Sequence, residues 1–265
     1  MRVGSFKVRG LLGEGAFGRT YVGDHAVLGF PVCIKEEKTG QEPYVTMFRE
    51  EATLLAKVRH FGLPTLLDYM EDVPGCGNLM VMTHIAGVPL GKDVEKNGPL
   101  TDEHLFWVVD RILAPIGYLH AKWNMVHCDL KPDNVIVDYP IHEATVVDLG
   151  MATLKPDELT TAKGGTPGYL PPEFELGYPP LPASDVYSVG KILIFLATGS
   201  DELVQRSECP ADMDPRLRNL IGKMIQRDPR RRPDDADGLR DEFHELRHRL
   251  FGRTTCDEMV ERRKR

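Results

Sequence analysis

The sequence predicts an α+β protein, rich in strands over its first third and mainly helical afterwards. Three observations carry that prediction. Short β-prone stretches bounded by glycines occupy the first 35 residues, apolar residues recur at helical spacing after Thr101, and a strongly apolar run crosses Asp185 to Thr198. A length of 265 residues fits one large domain or two small lobes around a shared cleft.

Phe6 to Gly13 and Gly18 to Asp24 flank a glycine-rich turn, which suggests a hairpin. Phe30 to Lys35 reads as a third strand, with Pro31 near its start, where a missing N–H does least harm. Thr46 to Arg59 then switches to helical spacing, with Phe48, Ala52, Leu55 and Arg59 on one side. Glu51 falls on the inward side of that helix, and a carboxylate there needs a cationic partner because burying it unpaired is costly. Leu79 to Met82 is another short strand, followed by a turn over Gly87 to Leu90. Leu105, Val108, Ile112, Ile116 and Leu119 mark one long amphipathic helix with Thr101 or Asp102 as its N-cap. Asp185 to Thr198 is apolar enough for a helix through the middle of a lobe. Leu239, Phe243, Leu246 and Leu250 mark a last amphipathic helix, and a charged tail ends the chain.

Composition narrows the function classes. Lys and Arg number 33 against 40 Asp and Glu, a net charge of −7. That excludes a generally basic nucleic-acid binder. Counting Gly and leaving out Tyr, the apolar share is about 48%, inside the ~45–50% of globular proteins and unlike a disordered or fibrous chain. The longest clearly apolar run, Ile192 to Ala197, falls far short of the ~20 residues of a membrane helix. Met1-Arg2-Val3-Gly4-Ser5 lacks the apolar core of a secretion signal. Cys33, Cys76, Cys128, Cys209 and Cys256 are odd in number and contain no C-x-x-C pair, so they read as free thiols. The expectation is a soluble protein of a reducing, cytoplasmic compartment, with no membrane segment in this chain.

Gly13-Glu14-Gly15-Ala16-Phe17-Gly18 fits G-x-G-x-x-G, a run whose bare backbone N–H groups can approach phosphates. Here the glycines join two strands, which disfavours the dinucleotide-binding use, since that needs a strand and then a helix. Lys35 ends an apolar strand and, paired with Glu51, becomes a cation held in place to grip phosphate oxygens. The strongest string is His127-Cys128-Asp129-Leu130-Lys131-Pro132-Asp133-Asn134, with Val146-Val147-Asp148-Leu149-Gly150 shortly after. Asp129 can accept a hydroxyl proton and orient the attacking oxygen. Asn134 and Asp148 supply oxygens, the ligand type that Mg²⁺ prefers. Lys131 would neutralise charge on a phosphoryl group in transit.

In this order the motifs resemble the eukaryotic-type protein kinase family over roughly residues 6–250. Gly165 to Glu173 is similar to the end of that family's activation segment, Asp185 to Gly190 to the start of its central helix, and Arg232 to an arginine that pairs with Glu173. The resemblance implies a two-lobed kinase fold. The β-rich N-lobe would span residues 1–82, the hinge 83–86, the mainly α-helical C-lobe 87–250 and the charged tail 251–265. It also implies an ATP-dependent transferase acting on protein serine or threonine hydroxyls, with Mg²⁺ (Mn²⁺ as an alternative) as the metal. ATP and a protein substrate would be its partners, and nucleic acid would not.

Under that resemblance Asp129, Lys131, Lys35 and Glu51 are catalytic, and Asn134 and Asp148 hold the metal. Gly13, Gly15 and Gly18 cover the phosphates, and Leu12, Thr20, Cys33, Met82 and Ile136 line the adenine pocket. Lys131 and Thr166 resemble the serine/threonine branch, and Thr20-Tyr21-Val22 is similar to bacterial members. Two rival readings share some of these residues: a catalytically inactive pseudokinase scaffold, and a small-molecule kinase. Cys128 stands where many family members carry an arginine that holds a phosphate on the activation segment. The expectation is therefore a segment that is active without phosphate on Thr160 or Thr161, with Cys128 simply packed. Leu149 and Pro171 are apolar replacements, and the stretch from Gly199 to Pro215 is short enough to reduce one C-lobe helix.

Overall fold

In a computed structural model, which describes residues 2–15 and 18–252, the chain divides into two units that meet between Ile85 and Ala86. Of the charged tail expected over 251–265, residues 253–265, Cys256 among them, lie outside the described residues. In the first unit, β1 (Arg2–Val3), β2 (Phe6–Glu14), β3 (Gly18–His25), β4 (Pro31–Glu37), β5 (Leu66–Val73) and β6 (Gly77–Thr83) form one antiparallel sheet, ordered β1-β2-β3-β4-β6-β5. Side chains alternate across a strand. Val32 and Ile34 of β4 join Val3, Phe6, Leu79 and Val81 in a buried cluster on one face, so Cys33 and Lys35 turn to the other. The pairings Thr20↔Lys35, Val22↔Cys33, Lys35↔Met80 and Cys33↔Met82 place all six of those residues on that second face.

Helix α1 (Tyr44–Lys57) buries Phe48, Glu51, Ala52, Leu54 and Leu55. Arg59, expected on its inward side, is instead exposed beyond its end. There its guanidinium donates to the carbonyls of Ala56 at 3.2 Å and Val58 at 2.7 Å, satisfying groups that the finished helix leaves open. β5 goes unsignalled in the sequence because Asp68, Glu71 and Asp72 interrupt it. Bulges between Leu66 and Asp68 and between Met70 and Val73 also break its alternation.

The second unit holds β7 (Val88–Pro89), α2 (Leu90–Asn97), α3 (Asp102–Trp123), β8 (Met125–Val126), β9 (Val135–Asp138), β10 (Glu143–Val146), β11 (Thr153–Leu154), α4 (Pro172–Glu175), α5 (Pro182–Thr198), α6 (Asp201–Arg206), α7 (Pro215–Met224) and α8 (Ala236–Phe251). Helix α5 starts three residues before the expected Asp185 and is buried from Ala183 to Ala197, as its all-round apolar surface requires. α3 packs against both α5 and α8, and Phe106 meets Phe243 edge to face with ring centres 5.8 Å apart. Thr101 does stand at the N-cap of α3, but its hydroxyl pairs with the His104 ring at 2.9 Å rather than with a backbone N–H. The Gly87 to Leu90 turn is a two-residue strand running into α2. The short stretch after Gly199 carries only the six residues of α6. The architecture is the α+β arrangement predicted, a strand-rich first unit and a helical second one.

Candidate active site

In the first unit the glycine turn joins β2 to β3, and Gly15 N–H donates to the Gly18 carbonyl at 2.9 Å. A Cβ added at Gly18 would collide with the Glu36 carbonyl, so close strand packing requires that glycine. A Cβ at Gly13 or Gly15 would meet nothing within 4 Å. Packing does not demand glycine there, and the bare backbone faces open space that a ligand could enter. Lys35 Nζ donates to both oxygens of Glu51 at 2.8 Å, with the Glu51 side chain only 6% exposed. This is the cation that the inward carboxylate of α1 needed. Thr20, Cys33 and Met82 share the sheet face of Lys35, together with Val22 and Met80, which the sequence reading did not single out. Burial pushes the Cys33 thiol up to about 11. Leu12 is half exposed on β2.

In the second unit a buried aspartate organises the loop. Asp185, at the start of α5, accepts from the backbone N–H of His127 at 2.8 Å and of Cys128 at 3.0 Å, while the His120 ring meets it at 2.8 Å. Cys128 has a left-handed φ of 68°, an arrangement the two Asp185 bonds pin in place. Asp129 then sits in a small network. The Thr166 hydroxyl donates to its Oδ1 at 2.7 Å, Lys131 Nζ lies 3.1 Å from Oδ2, and Asn134 Nδ2 donates to its backbone carbonyl at 2.8 Å and to Oδ2 at 3.2 Å. Lys131 also donates to the Thr166 hydroxyl at 2.9 Å.

Asp148 follows β10, which pairs with β9 so that Val146 faces Val135. The Val147 N–H donates to the Asn134 carbonyl at 2.9 Å, which ties the backbone just before the exposed Asp148 to Asn134. With the Asn134 nitrogen committed to Asp129, its amide oxygen is the atom left to meet a cation. An amide oxygen and a carboxylate are a donor set that suits Mg²⁺, which keeps most of its waters and needs few protein ligands. Among the described residues no group of three or more His, Cys, Asp or Glu side chains is placed to hold a metal. Ile136 lies half-buried on β9, facing away from the buried Val135 and Val137.

Three features were not legible as site parts: Thr166 as a partner of Asp129, the grip of Asp185 on the loop amides, and the His120 ring that meets Asp185. Their signal is faint because each is an ordinary polar residue far along the chain. Cys128 is 4% exposed, and its Sγ donates to the Val126 carbonyl at 3.4 Å. Burial raises its thiol well above the usual cysteine range, so it packs and is no reactive nucleophile. Arg232 meets Glu173 through two bonds of 2.7 Å, with their side chains 0% and 2% exposed, as the resemblance implied.

The chain matches the protein kinase domain family over residues 6–244. It is 32% identical to the serine/threonine-protein kinase B of Synechocystis sp. over 74% of its own length and 37% of that protein. It is 29% identical to serine/threonine-protein kinase pkn2 of Myxococcus xanthus over 90% of its length and 32% of the relative. With PknA of Mycobacterium tuberculosis it shares 27% identity over 85% of its length and 57% of the relative. The chain thus spans from about a third to just over half of these relatives. Because the match enters at β2, runs through the residues just described in each unit and leaves within α8, the chain belongs to the eukaryotic-type protein kinase family, serine/threonine branch.

Proposed function

We propose that the protein is an ATP-dependent serine/threonine kinase that transfers the γ-phosphoryl group to hydroxyls of protein substrates. The observation that carries this reading is the Asp129 carboxylate, which accepts a threonine hydroxyl at 2.7 Å while Lys131 and Asn134 steady its other oxygen. A carboxylate held this way can orient an attacking hydroxyl and take its proton, and positioning of that kind is most of what phosphoryl transfer asks of a protein. Lys35, fixed by Glu51, grips phosphate oxygens, and the amides around Gly13, Gly15 and Gly18 cover them. Lys131 offsets charge on the group in transit. Leu12, Thr20, Cys33, Met82 and Ile136 contact adenine, and residues 83–86 serve as the hinge between an N-lobe of 1–82 and a C-lobe of 87–250. Asn134 and Asp148 would hold Mg²⁺, or Mn²⁺ in its place, and the bound ion supplies positive charge to the phosphates.

A decayed scaffold is disfavoured because Lys35, Glu51, Asp129, Asn134 and Asp148 are all present. We also place the protein in the cytoplasm. Cys33, Cys76, Cys128 and Cys209 are free thiols, and among the described residues no helix is long and apolar enough to cross a membrane. The test is transfer from labelled Mg-ATP to a generic basic protein, followed by phosphoamino-acid analysis. Wild type should label serine or threonine, while Lys35→Ala and Asp148→Ala should remain folded and transfer nothing. Undiminished turnover in either variant refutes the assigned roles. Labelling of a small alcohol but of no protein would favour a small-molecule kinase.

A further inference from the structure

Lys191 lies in the middle of α5 and is 2% exposed. A lysine so deep normally has a carboxylate beside it. Among the described residues this one has none. Its side-chain nitrogen, Nζ, donates to the Val204 carbonyl of α6 and to the Ser207 hydroxyl at 2.8 Å, two bonds that a neutral amine can also make, and it stands 5.7 Å from the centre of the Tyr187 ring. Arg232 lies over the same ring at 4.7 Å, so two buried cations flank one aromatic side chain.

The acids nearby are committed elsewhere. Glu173 gives both oxygens to Arg232. Glu175 on α4 and Asp201 and Glu202 on α6 are exposed, and Glu202 pairs with Arg206. Helix α7 adds only like charges, Arg216, Arg218 and Lys223. Burial raises the phenols of Tyr169 and Tyr187, which keeps them neutral. Burial pushes the Lys191 amine down to about 8.

What Lys191 touches is the least self-sufficient helix of the unit. Six residues cannot hold α6 together unaided, and its anchor is Val204, 1% exposed. Val204 also backs the loop after Thr166, since a Cβ at Gly168 would lie 3.7 Å from its Cγ1. Ser188 of α5 donates to the Tyr169 carbonyl at 2.9 Å. Residues 168 and 169 are therefore held between α5 and α6, directly after Thr166, whose hydroxyl engages Asp129.

We infer that Lys191 makes the seating of α6, and of the loop that carries Thr166, depend on protonation: the neutral amine seats the helix and the ammonium drives it toward water. The folded protein holds this proton less tightly than the unfolded chain, where the ordinary value is 10.5. Between about pH 8 and 10.5 the unfolded chain therefore binds more protons, and the stability contributed by this group rises with pH. Lys191→Met tests this without leaving an orphaned carbonyl, because Val204 also accepts from the Ser207 N–H at 3.1 Å.

Thermal unfolding of the full chain should show the Met variant melting about 5 °C above wild type at pH 7, with the gap closing by pH 10. In wild type, amide exchange over residues 201–207, corrected for intrinsic rates, should slow between pH 7 and 9 relative to α8. The exchange measurement decides the matter if the variant fails to fold. Parallel melting curves, or exchange over 201–207 that tracks α8, overturn the inference. The consequence for substrate rests on the kinase reading: peptide KM at saturating ATP should fall at least two- to threefold from pH 7 to 9, the range over which the charged fraction drops about tenfold, and stay flat in Lys191→Met. A chain that transfers no phosphate would refute that reading while leaving the melting and exchange tests intact.

Discussion

Glu51 sits 5% exposed among Phe48, Ala52 and Leu55, a position it can hold because Lys35 meets both of its oxygens at 2.8 Å. Replacing it by Gln keeps the shape and removes the charge that aims the lysine. Glu51→Gln should remain folded and lose on the order of 10- to 100-fold in kcat/KM for ATP, measured by steady-state kinetics. Arg232 poses the opposite case, a pair with no catalytic duty. Its guanidinium also donates to the Gln226, Ala183 and Arg227 carbonyls. Arg232→Met leaves Glu173 buried and uncompensated, so urea unfolding should show a loss of about 3–5 kcal/mol. A change under about 1 kcal/mol would show that the pair is dispensable.

Among the elements, the joint between α3 and α8 is electrostatic as well as apolar. Asp110 of α3 accepts from Arg240 at 2.5 Å and meets the His244 ring at 2.6 Å, both on α8. Burial alone would push its carboxyl up, but Arg240 and His244 outweigh burial and hold it below the usual range. A depressed carboxyl contributes stability above its unfolded value, 3.8, and that contribution disappears as pH falls through the folded value. Asp110→Asn should therefore cost about 2 kcal/mol at neutral pH and progressively less below pH 4, read from denaturant midpoints. Between β11 and α4 the Thr160 hydroxyl is bonded to Asp157 at 2.7 Å. Cys128 offers no charge to a phosphate there. The double variant Thr160→Ala, Thr161→Ala should retain kinase activity within about twofold of wild type, and an inert variant would show that the segment needs phosphate.

For the molecule as a whole, thiol titration reports the packing. Cys128, and Cys33 at about 11, are held up by burial, so both should resist a thiol reagent at pH 8 in the native protein. All five cysteines should react once it is unfolded. Contiguous stretches are legible in the sequence alone: the glycine turn between two strands, the inward Glu51 that demands Lys35, and the loop from His127 to Asn134. Each is a local pattern, in which residue type and spacing already restrict the backbone and the face a side chain occupies. Helices α2 and α7 and strand β5 escaped notice because charge or brevity hides their periodicity, and tertiary burial rather than propensity makes them form.

Partner choice across long separations was equally out of reach. Thr166 reaches Asp129 across 37 positions, and Asp185 holds the backbone of His127 across 58. Lys191 reads in the sequence as one polar residue in an apolar helix, and only the packed helices around it leave its charge without a counter-ion. Spacing along the chain determines which chemistry is present in a short loop. Which buried donor meets which acceptor, and which charge is left unmatched, is decided when the helices close and exclude water, because only then does an unmade bond carry its full cost.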